Sequence, residues 1–311
     1  MSFRVVQAGI LSLLQDAGRI GQHRIGLTTG GPLDPDAFAW CNRLLQNPRG
    51  STIIEVSFGG LQIEAQVDTY ICVTGALMPL RINKVLKDLW HVHRVKAGDI
   101  IALDFAEEGT RSYLGVADGF QVIPSFGSTA TVMREGIGGL NGDKLQVDDK
   151  LPCSIIQERR QLFLARKHQP HYQSIATVRV IPGYQQAHFS RLQQRLFFSH
   201  AYTVSDRCDR MGYRLQGPPI SCEIEGILSE GICYGAIQIP ADGQPIVLLN
   251  DRQTIGGYPK IGSALSLDAA HLAQLKPGDT VHFAPISHHS AHNALHLAAS
   301  FHNRLPISEL D

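Results

Sequence analysis

The sequence has no apolar run approaching the length of a bilayer span, and its amino terminus has no basic start leading into an apolar core. These absences predict a soluble, cytoplasmic chain with no membrane partner. Charge of one sign is also missing: 28 Lys and Arg balance 28 Asp and Glu, and charged residues make up only 18% of the chain. No global field therefore draws it to nucleic acid. The six cysteines (Cys41, Cys72, Cys153, Cys208, Cys222, Cys233) include no Cys-x-x-Cys pair. That spacing excludes a zinc ribbon and a disulfide framework, and the cysteines read as small apolar residues. No Gly is followed by Lys, so the Walker-type phosphate cradle is absent. No strand leads into Gly-x-Gly-x-x-Gly, which argues against a dinucleotide fold. Gly-x-Ser-x-Gly is missing as well, removing the esterase elbow. No Met precedes a Lys, so the chain has no Met-Lys-Met site for covalent biotin.

What is present is mainly β. At 311 residues the chain is long enough for two domains, each with its own core. Short apolar or alternating runs such as Ile53-Ile54-Glu55-Val56, Leu61-Gln62-Ile63-Glu64-Ala65 and Tyr70-Ile71-Cys72-Val73 are separated by turn residues, the spacing of a sandwich or barrel. Helices are few. Asp34 as cap, Pro35 at the first position and Ala37, Trp40, Cys41, Leu44 and Leu45 on one face predict a helix ended by Asn47-Pro48. A short helix is expected over residues 188–198 and another at the carboxyl end. The polar stretch after Pro152 places a first domain at 1–156, a linker at 157–175 and a second domain with a terminal helix at 176–311.

The densest chemistry lies in residues 209–258. Arg210, Arg214 and Arg252, the amides Gln216, Gln238, Gln244 and Gln253, and the carboxylates Asp209 and Asp251 alternate with Gly and Pro beside apolar strands. Such a set suits a planar or anionic ligand held without a covalent nucleophile. The plainer reading is a series of β-turns with solvated charges. In the first half, Gln15, Asp16 and Arg19 occupy a polar, Gly-punctuated loop. His288, His292 and His296 recur every four residues on the terminal helix. No carboxylate or cysteine accompanies them there, so they read as a solvated face with no metal. His91 and His93 receive the same reading, while His23 and His188 sit in or beside polar loops where an acid or base would be useful.

The halves echo each other twice. Val95-Lys96-Ala97-Gly98-Asp99 matches Leu275-Lys276-Pro277-Gly278-Asp279, and Gly18-Arg19-Ile20-Gly21 matches Asp209-Arg210-Met211-Gly212. A duplication would bring two Arg-bearing loops to one cleft.

Longer motifs carry a resemblance. Gln15-Asp16-x-Gly18-Arg19, Gly30-Gly31-Pro32-Leu33-Asp34, Asp209-Arg210-Met211-Gly212-Tyr213-Arg214-Leu215-x-Gly217-Pro218, Gly235-Ala236-Ile237-Gln238-Ile239-Pro240, Asp242-Gly243-Gln244-Pro245 and Asp251-Arg252-Gln253-Thr254-x-Gly256-Gly257-Tyr258-Pro259-Lys260 follow in order over nearly the whole chain. Together they resemble the KipA-like family, also called allophanate hydrolase subunit 2 or the biotin-dependent carboxyltransferase C subunit family. The resemblance implies two cyclophilin-like β-barrel halves, a KipI-like B subunit as partner and, for the 5-oxoprolinase members, a LamB/YcsF-type A subunit. It also implies ATP, with Mg2+, as cofactor of the complex, which opens the lactam of 5-oxo-L-proline to glutamate. Relatives of other kinds move a carboxyl group from carboxybiotin to urea, which here requires biotin in trans, or bind a kinase inhibitor as regulators. The chain departs from the family at Gly127-Ser128-Thr129-Ala130-Thr131, where an arginine is usual in place of Thr129.

Opening a lactam places charge on its oxygen, and capping that oxygen with phosphate calls for arginines and amide donors. On that basis Arg210, Arg252, Asp209 and Asp251 are the expected catalytic residues. Gln15, Asp16, Arg19, Arg214, Gln238, Gln253, Thr254 and Tyr258 are the expected substrate- or nucleotide-binding residues.

Overall fold

The computed structural model describes residues 1–224 and 226–310. The chain is mainly β and divides into two compact units, Met1–Tyr172 with Pro306–Asp311, and Gln173–Leu305.

In the first unit, a six-stranded antiparallel sheet runs in the order Lys150–Pro152, Ser2–Ala8, Leu61–Ala65, Ile100–Leu103, Leu80–Ile82, Val85–Lys87. A five-stranded sheet runs Leu11–Gln15, Ile53–Ser57, Glu108–Val116, Thr69–Leu77, Val92–Val95. Alternation explains the packing: Leu61, Ile63 and Ala65 enter the core while Gln62 and Glu64 stay half exposed. The strand Ile53–Ser57 is buried throughout because both of its faces are covered. Ile54 and Val56 join the core, and Glu55 on the other face accepts hydrogen bonds from the Leu33 N–H (2.9 Å) and the Tyr113 hydroxyl (2.8 Å). The predicted helix is Pro35–Leu44, capped by Asp34, whose carboxylate accepts from the Ala37 N–H at 3.1 Å. Its expected apolar face is buried.

In the second unit, seven strands close into a barrel in the order Ile175–Pro182, Lys260–Ala264, Ala236–Gln238, Ile246–Leu248, Gly212–Gln216, Ala201–Cys208, Thr280–Pro285. The parallel pairing of the last strand with the first completes the ring and removes the sheet edges. Among the described residues only this unit forms a closed ring of strand pairs; the first unit keeps open sheets, and Lys150 and Lys87 lie on the outer strands of the largest one.

Three boundaries differ from expectation. The polar stretch expected as a linker is built into the first unit as far as Tyr172, because Leu162–Phe163 pairs with Ser308–Glu309 and the Tyr172 hydroxyl donates to Asp34 (2.8 Å). By the same pairing the last residues of the chain belong to the first unit. The helix expected over residues 188–198 is a 3-10 turn, Tyr184–His188, followed by an α-helix, Arg191–Ser199, that starts where Ser190 accepts from the Gln193 N–H. Buried Phe189 is extended between the two.

The first echo is a shared turn. In each copy the Asp carboxylate (Asp99, Asp279) accepts from the backbone N–H of Lys96 or Lys276 at 2.7 Å, and Gly98 or Gly278 is left-handed at φ 92° or 95°. The Gly N–H and Asp carbonyl then pair with Ala65 in one unit (2.7 and 2.9 Å) and Val204 in the other (2.9 and 2.9 Å). Residues 146–149 repeat it against Val5 with Asp148 at φ 70° in the glycine position. The second echo has no such counterpart. Arg19 follows the end of a strand and bonds to backbone carbonyls, whereas Arg210 precedes a strand and pairs with a carboxylate.

A Cβ at Gly98 or Gly278 would meet nothing within 4 Å, so substitution there tests backbone conformation alone. Gly98→Ala and Gly278→Ala are each expected to cost about 1–2 kcal/mol, read as a lower urea midpoint. Asp148→Gly relieves the same strain and loses only an exposed ion pair with Arg4, so its midpoint should rise.

Candidate functional site

The register of the barrel wall builds the site. Arg214 stands opposite Ile246, Ile246 opposite Gln238, and Gln238 opposite Lys260, giving a row across four strands on one face. Tyr213, Leu215, Val247 and Ile237 point the other way and are fully buried. A β-bulge between Ile237 and Gln238 re-aims the latter. Over the row lies a two-strand ladder, Glu230–Gly231 with Ile255–Gly256.

Between the row and this cover is a pocket of about 300 Å3. Its polar lining is Arg207, Asp209, Arg214, Gln238, Gln253 and Tyr258, and its apolar wall is Met211, Ile232, Ile246 and Leu248. Asp209 shapes the turn before the strand: one carboxylate oxygen accepts from the N–H groups of Met211 (2.7 Å) and Gly212 (3.1 Å). Arg214 is ion-paired with Asp242. Lys260, nine-tenths buried, is ion-paired with Glu230, which also accepts from the Tyr184 hydroxyl and from Gln185 (3.0 Å). The Lys260 and Tyr184 bonds hold the Glu230 carboxyl below its usual range.

Five of the expected site residues thus share one pocket: Asp209, Arg214, Gln238, Gln253 and Tyr258. Arg210, Asp251, Arg252 and Thr254 are not in its lining. Arg210 and Asp251 form a buried bidentate pair at 2.9 and 3.0 Å that ties the turn before one strand to the end of another. Arg252, also buried, donates to the carbonyls of Ile232 (3.1 Å) and Leu249 (3.2 Å), and burial lowers its pKa. Thr254 contributes its carbonyl to the Ile232 N–H at 3.0 Å.

The first-unit candidates brace a loop. Gln15 donates to the Thr131 carbonyl and accepts from the Gly31 N–H, both at 3.0 Å. Asp16 accepts from Gly18, Ser128 and Thr129 (2.9, 2.6 and 2.8 Å), and Arg19 donates to the carbonyls of Ser125 and Ala130 at 3.0 Å. Thr129 itself is buried against Thr52, their hydroxyls 2.7 Å apart. His23 bonds to Thr29 (2.7 Å), and His188 is exposed. His292 and His296 lie on the exposed side of the helix His288–Arg304. Sequence reasoning missed Arg207, whose only signal is its place two residues ahead of Asp209, and Glu230, which carries none.

Removing the partner of a buried charge is costly. Asp251→Ala is expected to destabilise the protein by about 3–5 kcal/mol in urea unfolding, while Arg210→Met with Asp251→Leu should recover most of the loss.

The chain has known relatives. Residues 25–285 match the family described as carboxyltransferase domain, subdomain A and B. The chain is 35% identical over 294 residues to the C subunit of 5-oxoprolinase from Escherichia coli (strain K12), covering 91% of each. It is 34% identical over 280 residues to the C subunit of 5-oxoprolinase from Haemophilus influenzae, covering 88% of each. The crystal structure of Kluyveromyces lactis urea carboxylase superimposes with a TM-score of 0.91 at 24% identity, over 98% of this chain and 29% of that one, a likeness of fold. With most of its length inside the match and both barrel and site motifs within it, this chain belongs to the carboxyltransferase domain, subdomain A and B family.

Proposed function

We propose that this chain is the C subunit of an ATP-dependent 5-oxoprolinase, working with a KipI-like B subunit and a LamB/YcsF-type A subunit. The observation that carries this reading is its end-to-end likeness to the 5-oxoprolinase C subunit of Escherichia coli, at 35% identity over 91% of both chains. The pocket supports it. At about 300 Å3 it lies at the small end of ligand sites, with an apolar wall for ring methylenes and a few convergent polar groups.

The reaction breaks the lactam C–N bond, with the nitrogen leaving as the new amine and water supplying the oxygen of the new carboxylate. Its barrier is the charge that builds on the lactam oxygen. ATP bound to the complex would cap that oxygen by giving up its terminal phosphoryl group with ADP leaving, and a second water would then release the phosphate. With Arg214 paired to Asp242, Arg207 and Asp209 leave the lining without the surplus positive charge a triphosphate needs, while Arg207 can still meet one carboxylate. ATP and Mg2+ are therefore assigned to the assembled complex, and this chain's part is to bind and orient the small substrate. Arg210 and Arg252 act by holding the pocket walls.

A second reading is carboxyl transfer to urea with carboxybiotin supplied in trans, favoured by the family's description as a carboxyltransferase domain. Mixing the chain with its A and B partners separates the readings. ADP release that needs 5-oxo-L-proline and all three chains is the expected result. Consumption of carboxybiotin on adding urea would replace it with the second reading. Binding to the B chain with neither turnover would make the protein a regulator.

A further inference from the structure

Gln238 is 6% exposed, lines the pocket, and its side chain has no hydrogen-bond partner among the described residues. Other glutamines behave differently. Gln15, Gln185 and Gln244 each use both ends of the carboxamide, on Thr131 and Gly31, on Glu230 and Lys260, and twice on Gly217. The Gln238 carboxamide reaches the solvent in the pocket, so its donor and acceptor are available to a ligand there. Gly256 supplies a second observation. A Cβ there would lie 2.5 Å from Ile232 Cδ1 and 3.0 Å from Gln238 Nε2, so any larger residue would fill the space beside the amide. A third is Arg207. Of the two lining arginines, Arg214 is paired with Asp242, whereas the Arg207 guanidinium has no partner among the described residues.

We propose that Gln238 and Arg207 form a two-point reader for a small ligand carrying a cis amide edge and a carboxylate, with Gly256 keeping the amide's place open. A carboxamide presents a donor and an acceptor side by side. A lactam is locked cis by its ring and offers the complementary N–H and C=O on one side, so two hydrogen bonds form at once. An open-chain peptide is trans and offers only one of them. Arg207 takes the carboxylate, and the wall of Met211, Ile232, Ile246 and Leu248 takes the ring methylenes. Asp209 in the same lining, with Arg214 already paired to Asp242, disfavours a multiply charged anion. The inference rests on this pocket being the substrate site of the proposed oxoprolinase, and it adds which residues select the substrate.

The test measures binding to the full chain, and to the assembled complex, by calorimetry with 5-oxo-L-proline, 2-pyrrolidinone and L-proline. The wild type should prefer 5-oxo-L-proline, since the second probe lacks the carboxylate and the third the lactam. Gln238→Leu should weaken both lactams about tenfold and leave L-proline unchanged. Its urea midpoint should not fall, because no hydrogen bond within the described residues is lost. Arg207→Gln should weaken 5-oxo-L-proline about tenfold and spare 2-pyrrolidinone. Gly256→Ala should weaken both lactams. Unchanged lactam affinity in Gln238→Leu, a lowered midpoint, or no binding of any probe to chain or complex would overturn the proposal. Lactam binding that depends on Gln238 without 5-oxoproline-driven ADP release would instead overturn the oxoprolinase reading alone. Turnover indifferent to Gln238→Leu would leave that reading standing and remove this one.

Discussion

The strand register in the barrel wall governs everything at the site. Along Gly212–Gln216, Ile246–Leu248 and Ala236–Gln238, alternate residues belong to the barrel core and to the pocket. A slip of one residue would turn Tyr213, Val247 and Ile237 outward and bury Arg214 and Gln238 in the barrel core. The cost of burying that charge fixes the register as firmly as the apolar contacts do. Arg210 and Asp251 reinforce it at the strand ends. Their buried, bidentate pair joins the chain before one wall strand to the chain after its neighbour, backed by the Asp251 N–H to Arg210 carbonyl bond at 2.9 Å.

This division of labour among the arginines was invisible in the sequence. Residue type reveals that Arg19, Arg210, Arg214 and Arg252 carry fixed charge, but function depends on which acceptor each one finds. Arg19 and Arg252 satisfy backbone carbonyls, and Arg210 and Arg214 meet carboxylates 41 and 28 residues away. Those partners are set by tertiary structure alone. The motifs located the right neighbourhood, since Asp209, Arg214, Gln238, Gln253 and Tyr258 do share a pocket, yet they placed walls and lining in one class. Arg207 escaped because it sits in a plain strand, outside any Gly-Pro punctuation.

The fold was more legible, for a physical reason. Period-two burial along Leu61–Ala65 and the cap-and-face pattern of Pro35–Leu44 are local properties, and local signals survive in a single sequence. So did the Lys-x-Gly-Asp turn, whose geometry is dictated by one carboxylate bond and one left-handed residue. The third copy passed unrecognised as a turn because Asp148 stands where glycine is the usual mark. The division after Tyr172 falls inside the expected 157–175, but how much of that stretch is built into the first unit was not legible, because polarity alone cannot distinguish solvated chain from chain whose polar groups are paired. Arg160 with Glu309 and Tyr172 with Asp34 are pairings between residues far apart in sequence.

Gln15 and Gln238 make the remaining point. Both are buried carboxamides at the carboxyl end of a strand, and nothing in their flanking sequence separates them. Gln15 has its hydrogen bonds supplied by Thr131 and Gly31, so it is a brace. Gln238 faces the pocket with its amide open to solvent. Such an amide discriminates between ligands only where the surrounding wall is held rigid. The buried Arg210–Asp251 pair and the Lys260–Glu230 pair hold it so, one at the strand ends and one beside the cover. A carboxamide kept from protein partners by a stiff wall exchanges solvent for two hydrogen bonds when a ligand of matching shape arrives, and a site built to hydrogen-bond its ligand rejects an analogue that lacks the matching groups.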